Sequence, residues 1–206
     1  PESSNTPLVT WLVKLLKKLT PQKVLLICHT RQCVLSLHEA IQQRIEIKTS
    51  LFHEDMTLLE RDRSAAWFAE DDGAQLMLSS EIGGEGRNFQ FAHHLVLIEL
   101  PENPEILEQR IGRLDRIGQT KTIQIHVPFI KGSSDECLAH WYHDGLNAFC
   151  QATRGGYHLM HHFNDRIPAL MGQVGTPAWQ DLLLETKNVY ATIRQKIESG
   201  LDRLLE

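Results

Sequence analysis

The chain has 206 residues, 42% of them hydrophobic and 23% charged, and a net charge of −5 at pH 7. This length allows one large domain, or one domain with a helical appendage, and the hydrophobic share is sufficient to bury a core. A negative net charge argues against a protein that coats nucleic acid through a general basic field, so any phosphate contact must be local. No run approaches the roughly 18 apolar residues of a membrane span, and we expect no membrane contact.

The cysteines and the amino terminus indicate the setting of the chain. Cys28, Cys33, Cys137 and Cys150 show neither C-x-x-C pairing nor a secreted-type framework, which predicts reduced thiols in a cytoplasmic protein. The opening PESSNTP is neither a signal peptide nor a natural initiator. We therefore expect the chain to be a piece of a larger protein.

Strand and helix patterns alternate along most of the chain. Apolar runs predict buried strands at KVLLIC, IKTSLF, AQLMLSS, HLVLIEL and TIQIHVPF. Between and after these runs, the following residues suit helix starts: Thr6 with Pro7, Thr30, Thr57 with Glu60, Asn103 with Pro104, and Ser133 with Glu136. The helix that Thr30 caps is predicted to run to about Ile45, and the helix after Ser133 to include WYHDGLNAF.

Helices interleaved with apolar strands predict an α/β fold in which a parallel sheet is covered by helices on both faces. Residues 151–206 lack strand patterns, and glycines and prolines divide them into two or three helices, the last starting at about Pro177. We therefore predict a domain over 1–150 and a helical accessory region over 151–206.

The run LEQRIGRLDRIGQ, residues 107–119, predicts a short two-faced helix that stops at Gly118. At about 100° per residue, Gln109, Arg113 and Arg116 share one stripe and the leucines lie opposite. Two guanidiniums one turn apart suit an anion, because the planar donor fork fits phosphate oxygens. On spacing alone, a solvated surface face is an equally good interpretation.

The order of motifs around this helix resembles a known superfamily. A strand, the glycine turn EIGGEGRNF, a second strand and Q-x-x-G-R-x-x-R-I-G-Q resemble motifs V and VI of superfamily 2 helicases and translocases. The RIGQ ending and S-S-x-x-G-G-x-G-x-N-F resemble more narrowly the Swi/Snf-type ATPases. GRLDRIGQ, IQIHVPF, WYHDGLNAF and LDRLLE resemble the bacterial RNA polymerase-associated members of that group. The resemblance covers residues 23–150 and is specific over 79–119.

The resemblance implies the second, RecA-like lobe of an ATP-dependent nucleic-acid translocase that remodels or recycles RNA polymerase in transcription. ATP and Mg²⁺ would bind between this lobe and an N-terminal RecA-like lobe missing from the chain, since the sequence has neither G-x-x-x-x-G-K-[ST] nor D-E-x-[HD]. The chain alone is expected to be inactive. The implied partners are RNA polymerase, a DNA or RNA backbone and the missing lobe, all in the cytoplasm.

The resemblance also assigns roles in the nucleotide cleft. Arg113 and Arg116 match the phosphate-facing arginines that stabilise charge on the transferring phosphoryl group. Gln109 would help couple their helix to the cleft. The residues that match the motif V turn, the last of them in a ribose-contacting position, are Gly84, Gly86 and Asn88.

A second group of residues matches positions that touch the nucleic-acid backbone in relatives. Thr30, Arg31, Ser79 and Ser80 follow or end predicted strands, where hydroxyls also commonly cap turns. Glu81 stands where remodellers often have arginine, which weakens the expected phosphate contact there.

Two other functions remain open at this stage. One is the lobe of an RNA helicase of the same superfamily, which the RIGQ ending disfavours. The other is a non-catalytic interaction module whose arginine face binds an acidic protein surface. No metal site is predicted, because His158, His161 and His162 share a helical face without a cysteine or carboxylate at ligand spacing.

Overall fold

The computed structural model describes residues 6–81 and 87–205, with side chains to residue 200. Two compact units divide the chain: Pro1–Glu99 with Arg110–Pro128, and Leu100–Gln109 with Phe129–Glu206. The predicted domain boundary after residue 150 falls inside the second unit. Among the described residues, no helix combines the length and the apolar character needed to cross a membrane.

The first unit alternates strands with helices, as the sequence predicts. Its elements in chain order are α1 (Pro7–Leu19), β1 (Val24–Cys28), α2 (Arg31–Gln42), β2 (Thr49–Phe52), α3 (Leu58–Ala69), β3 (Leu76–Ser80), β4 (His94–Leu97) and β5 (Gln124–His126). Helix α4 (Pro104–Ile111) precedes β5 and ends in this unit.

Side-chain caps explain where the helices of this unit begin. The hydroxyl of Thr6 accepts a hydrogen bond from the Val9 N–H, and that of Thr30 from the Cys33 N–H. Thr57 and Glu60 form a reciprocal capping box, with bonds of 3.2 and 2.7 Å. Each bond satisfies a donor that a helix start leaves without a partner. The three predicted starts are confirmed, although α2 ends at Gln42 rather than near Ile45.

The five strands form one parallel sheet in the order β2-β3-β1-β4-β5. Val24 of the central strand is paired with Leu76 of β3 and with His94 of β4. The predicted α/β class is thereby confirmed. In such a sheet the carboxyl ends of all strands lie at one edge, and the crossover between β1 and β4 makes that edge the usual place for a ligand.

Apolar side chains fill both faces of the sheet. On one face, Leu26 and Leu78 belong to a buried cluster with α1 and α2 residues such as Leu12 and Ile41. On the other, the Phe52, Phe68 and Phe89 rings pack edge to face, with centroids 6.2 and 5.8 Å apart. Fully burying each such side chain contributes about 1.5–3 kcal/mol, so the sheet is a firm base for its edges.

The second unit is helical. It contains α5 (Ser134–His140), a π-helical segment (Trp141–Leu146), α6 (Gly156–Phe163), α7 (Arg166–Ala169) and α8 (Pro177–Leu205). Trp141 and Trp179 are buried at its centre, and the Trp141 Nε1–H donates to the Thr186 hydroxyl at 2.9 Å. The helices predicted after residue 150 are confirmed, including the start at Pro177.

Candidate functional site at the carboxyl edge of the sheet

The two predicted phosphate-facing arginines lie on a turn. Helix α4 ends at Ile111, and residues 112–118, here named the arginine turn, follow it. The helix predicted to continue to Gly118 is therefore wrong in its second half. The Arg113 carbonyl accepts from the Phe89 N–H at 2.7 Å and the Leu114 carbonyl from the Gln119 side chain at 3.1 Å. The first bond is tertiary and the second local, and together they take acceptors that a continuing helix would need.

The two guanidiniums have different surroundings. Arg113 is half-buried and its Nη1 donates to the Arg87 carbonyl at 3.4 Å. Arg116 is exposed, and its Nε donates to the Gly112 carbonyl at 2.8 Å. The bond from Nε fixes the base of the Arg116 side chain and leaves the outer end of its fork towards solvent. The turn therefore presents a donor group suited to an anion.

Gln119, the last residue of the RIGQ run, anchors the arginine turn. Its Nε2 donates to the Ala92 carbonyl at 2.9 Å as well as to that of Leu114. Leu114 is fully buried, and Gly118 has a φ of +102°, a value that favours glycine. Sequence analysis assigned no role to Gln119, although its place at the end of the motif was a signal.

The other residues expected in the nucleotide cleft are placed as follows. Asn88 is exposed and directly precedes Phe89, so it lies next to the backbone that holds Arg113. Gln109 is exposed on α4. Gly84 and Gly86 lie outside the described residues.

A buried arginine that sequence analysis missed joins three strand ends. Arg110 is 3% exposed; its Nε donates to Glu81 Oε1 and its Nη1 to the Glu99 carbonyl, both at 2.9 Å. Nδ1 of His29, just after β1, lies 2.9 Å from the other Glu81 oxygen, and the backbone N–H of His29 donates to the Glu99 carboxylate at 3.2 Å. Burial alone would raise the pKa of Glu81, but the bonds and charges of Arg110 and His29 lower it overall.

The sequence held two signals for this network. Arg110 falls three residues after Leu107 and four before Leu114, on the apolar side of the predicted helix. A charged side chain on a buried face normally has an opposite charge nearby. Glu81, which stands where remodellers often have arginine, is that partner.

The predicted nucleic-acid contacts divide into two groups. Arg31 and Ser80 come together at the carboxyl ends of β1 and β3, around the Glu54 carboxylate, whereas Thr30 precedes Arg31 and its hydroxyl caps α2. Glu54, which sequence analysis did not select, follows β2 at the same edge. Ser79 is buried, and its hydroxyl donates to the Ser80 carbonyl at 2.9 Å. The Ser79 hydroxyl is thus engaged within the strand end.

The histidines of α6 have a partner that spacing alone did not show. His162 Nε2 lies 3.2 Å from Glu185 Oε1, and Arg166 binds both oxygens of that carboxylate. The bonds from Arg166 and His162 lower the pKa of Glu185 to about 2. In the part of the chain that the structure describes, no group of three or more ligating side chains is arranged to hold a metal ion.

Comparison with known proteins gives matches over nearly the whole chain. Over 201 residues, or 97% of the chain, it is 48% identical to an RNA polymerase-associated protein RapA from Pseudomonas putida and 49% identical to one from Pseudomonas aeruginosa. The chain spans 21% of the length of these relatives. Residues 122–206 match the family described as RNA polymerase recycling family C-terminal.

Solved structures agree on the fold. The crystal structure of the C-terminal part of the Fun30 ATPase domain aligns with a TM-score of 0.60 and 22% identity, over 82% of this chain and 56% of that one. The C-terminal domain of the DEAD-box protein Dbp5 aligns with a TM-score of 0.53 and 20% identity, over 66% of this chain and 78% of that one. Residues 8–118, more than half of the chain, match the helicase conserved C-terminal domain. The chain therefore belongs to the helicase conserved C-terminal domain family.

Proposed function

We propose that the chain acts as the second RecA-like lobe of a Swi/Snf-type, ATP-dependent nucleic-acid translocase that remodels or recycles RNA polymerase. The observation that carries the proposal is the arginine turn. The Arg113 carbonyl and the side chain of Gln119, the residue directly after the turn, are bonded to the segment before β4, and the turn presents Arg116 to solvent. A rigid turn with an outward guanidinium is suited to stabilise negative charge that develops outside the lobe.

In this proposal ATP binds between the chain and an N-terminal lobe. Arg113 and Arg116 would face the transferring phosphoryl group, and a guanidinium fork fits its oxygens. Gly84, Gly86 and Asn88 would line the nucleotide, and Gln109 would couple α4 to the cleft. The sequence lacks a phosphate-binding lysine loop and an acidic box, so the first lobe would hold Mg²⁺. When bound, that ion neutralises phosphate charge.

The same proposal assigns the partners. Thr30, Arg31 and Ser80 would contact a nucleic-acid backbone, reading its shape rather than its base sequence. The similarity to RapA proteins supports RNA polymerase as the protein partner, and hence a cytoplasmic location. We assign partner binding or lobe positioning to the helices after residue 150, which match the RNA polymerase recycling family.

The test is a pair of substitutions in the full-length protein. Arg113→Lys and Arg116→Lys keep the charge and remove the planar fork, and each should lower kcat by at least about a hundredfold, since a transition-state arginine contributes about 10³–10⁵ in rate. The melting temperature should stay nearly constant. Arg63→Lys, an exposed arginine on α3, is the matched control and should leave kcat unchanged.

A second control separates catalysis from folding. Leu114→Ala removes a fully buried side chain from the same turn and should lower the free energy of unfolding by about 2–5 kcal/mol. Near-normal turnover in both arginine variants would refute the phosphate-facing role. Sustained hydrolysis by the isolated chain, abolished by Arg116→Ala, would refute a site divided between two lobes.

A further inference from the structure

A carboxylate already occupies the place where the nucleic-acid backbone is proposed to bind. Glu54 Oε2 accepts from the Ser80 hydroxyl at 2.6 Å, and Oε1 accepts from the Arg31 N–H at 3.3 Å. Next to it, Asp55 Oδ2 pairs with the Arg31 Nε at 2.9 Å. We propose that Glu54 is a built-in competitor for a backbone phosphate, which must displace it to bind. This inference rests on the proposed function.

The geometry explains why a carboxylate can hold the place of a phosphodiester. Both groups carry one negative charge and present two equivalent oxygens to hydrogen-bond donors. Here one oxygen takes a hydroxyl and the other takes the first N–H of α2, a donor at the positive end of the helix. The bond from Ser80 holds the pKa of Glu54 below its usual value. The carboxylate is therefore charged at neutral pH, and a phosphate cannot share these donors without strong repulsion.

Some hydrogen-bond donors around Glu54 are not used by the carboxylates of Glu54 and Asp55. Arg61 Nη2 donates to the Glu54 carbonyl at 2.7 Å, but its buried Nε has no hydrogen-bond partner among the described residues. The same holds for Nδ1 of His53, a residue only 9% exposed. Burial lowers the pKa of His53, the charges of Arg31 and Arg61 lower it further, and those of Glu54 and Asp55 raise it, so the ring is close to both the cations and the carboxylates.

Unsatisfied buried polar atoms are uncommon in folded proteins. The Arg61 Nε–H beside the Glu54 backbone is one such donor, and it is a donor that neither carboxylate uses. Glu54 is half-buried and Asp55 is exposed, and both follow the end of β2 at Phe52, so both carboxylates border solvent. Displacement of Glu54 would free the Ser80 hydroxyl and the Arg31 N–H for the incoming backbone, beside the Arg31 guanidinium that Asp55 holds.

The consequence is that the chain would bind nucleic acid more weakly but more selectively. Glu54 would lower affinity for any single anion and allow binding only where several phosphates are contacted together. Removal of its charge, in Glu54→Gln, should tighten nucleic-acid binding by about threefold to tenfold. It should also steepen the logarithmic salt dependence, because phosphate then meets the Arg31 guanidinium and the positive end of α2 without the repulsion of the Glu54 charge.

The experiment measures binding by the full-length protein, without nucleotide. Fluorescence anisotropy with a labelled DNA duplex, and with single-stranded RNA of the same sequence, is recorded over a series of salt concentrations. Asp71→Asn is the matched control: it changes net charge equally, but Asp71 is exposed at the opposite, amino edge of the sheet. Thermal unfolding followed by circular dichroism establishes that each variant is folded, and Glu54→Ala serves as a second, smaller replacement.

Tighter binding of either probe by folded Glu54→Gln or Glu54→Ala, with no change for Asp71→Asn, supports the competitor role. Equal gains for Glu54→Gln and Asp71→Asn overturn it, since they report net charge alone. Weaker binding by Arg31→Ala without any gain from the Glu54 variants also overturns it, while the proposed nucleic-acid contact stands. Absence of binding to both probes in every protein overturns both proposals.

Discussion

The buried pair of Arg110 and Glu81 should be the most sensitive electrostatic element of the first unit. Arg110→Met replaces a 3%-exposed guanidinium by an apolar chain of similar length and leaves Glu81, with its side chain 20% exposed, without its main counter-charge. Breaking a buried ion pair by removing one partner costs about 3–5 kcal/mol. His29 remains 2.9 Å from the carboxylate, and Nη2 of Arg110 has no hydrogen-bond partner in the described chain. We therefore expect the lower end, about 3 kcal/mol.

A double-mutant cycle tests whether this cost belongs to the pair. Glu81→Gln alone should cost about 2 kcal/mol, because the buried arginine then lacks a counter-ion. The double variant should cost at least about 1 kcal/mol less than the sum of the two single variants. Urea unfolding of the chain, followed by far-ultraviolet circular dichroism, provides the three free energies. Additivity within about 0.5 kcal/mol would refute the pairing argument.

The pH dependence gives an independent check. Because Arg110 lowers the folded-state pKa of Glu81, the pair stabilises the fold fully above the unfolded-state value of about 4.3. That stabilisation is lost as the pH falls through the pKa that Glu81 has in the folded state. The wild type and Arg110→Met should therefore converge in stability in acid. A difference that stays constant from neutral pH to about pH 3 would contradict the assigned sign.

Two further predictions concern other parts of the chain. His94 is 2% exposed and bonded to His126, and burial lowers its pKa from 6.5 to about 4. As the pH falls, the unfolded state takes up the proton first, so the contribution of His94 to the free energy of unfolding should fall by about 3 kcal/mol between pH 7 and pH 4. A urea midpoint that does not change over this range would contradict the prediction. In the second unit, Gly155 has φ +76° and a Cβ there would lie 2.4 Å from Ile193 Cγ2, so Gly155→Ala should cost about 2 kcal/mol or more. Gly172→Ala has the same φ, but its new Cβ would have no described atom within 4 Å apart from its chain neighbours. It should cost only about 1 kcal/mol, and equal shifts in melting temperature would refute the clash.

Local patterns predicted the fold well because its elements begin and end on local chemistry. The hydroxyls of Thr6, Thr30 and Thr57 each cap a helix within three residues of their own position. The strands are apolar because both faces of a parallel sheet are covered. Such signals need no knowledge of distant parts of the chain, so a single sequence contains them.

The site was predicted less completely because distant segments shape it. Gly112, directly after Ile111, is a weak local signal for the end of α4; the tertiary contribution is the Phe89 N–H, 24 positions before the Arg113 carbonyl that it binds. Glu54 lies 26 positions before Ser80 and 23 after Arg31. Sequence pattern identified residue types suited to phosphate, but the carboxylate among them became apparent only when the sheet brought three strand ends together.

The end of α4 at Ile111 also changes how the side chains of Arg113 and Arg116 are held. On a continuous helix, Arg113 and Arg116 would project in similar directions about one turn apart. On the arginine turn, Arg113 is tied to the segment at residues 87–89, whereas the guanidinium of Arg116 is bonded, within the described part of the chain, to its own turn. A shift of residues 87–92 would therefore move Arg113 directly, and would move Arg116 through the Gln119 bond to Ala92. The arginine turn and the segment before β4 are thus one mechanical unit, which regular helical geometry would not have provided.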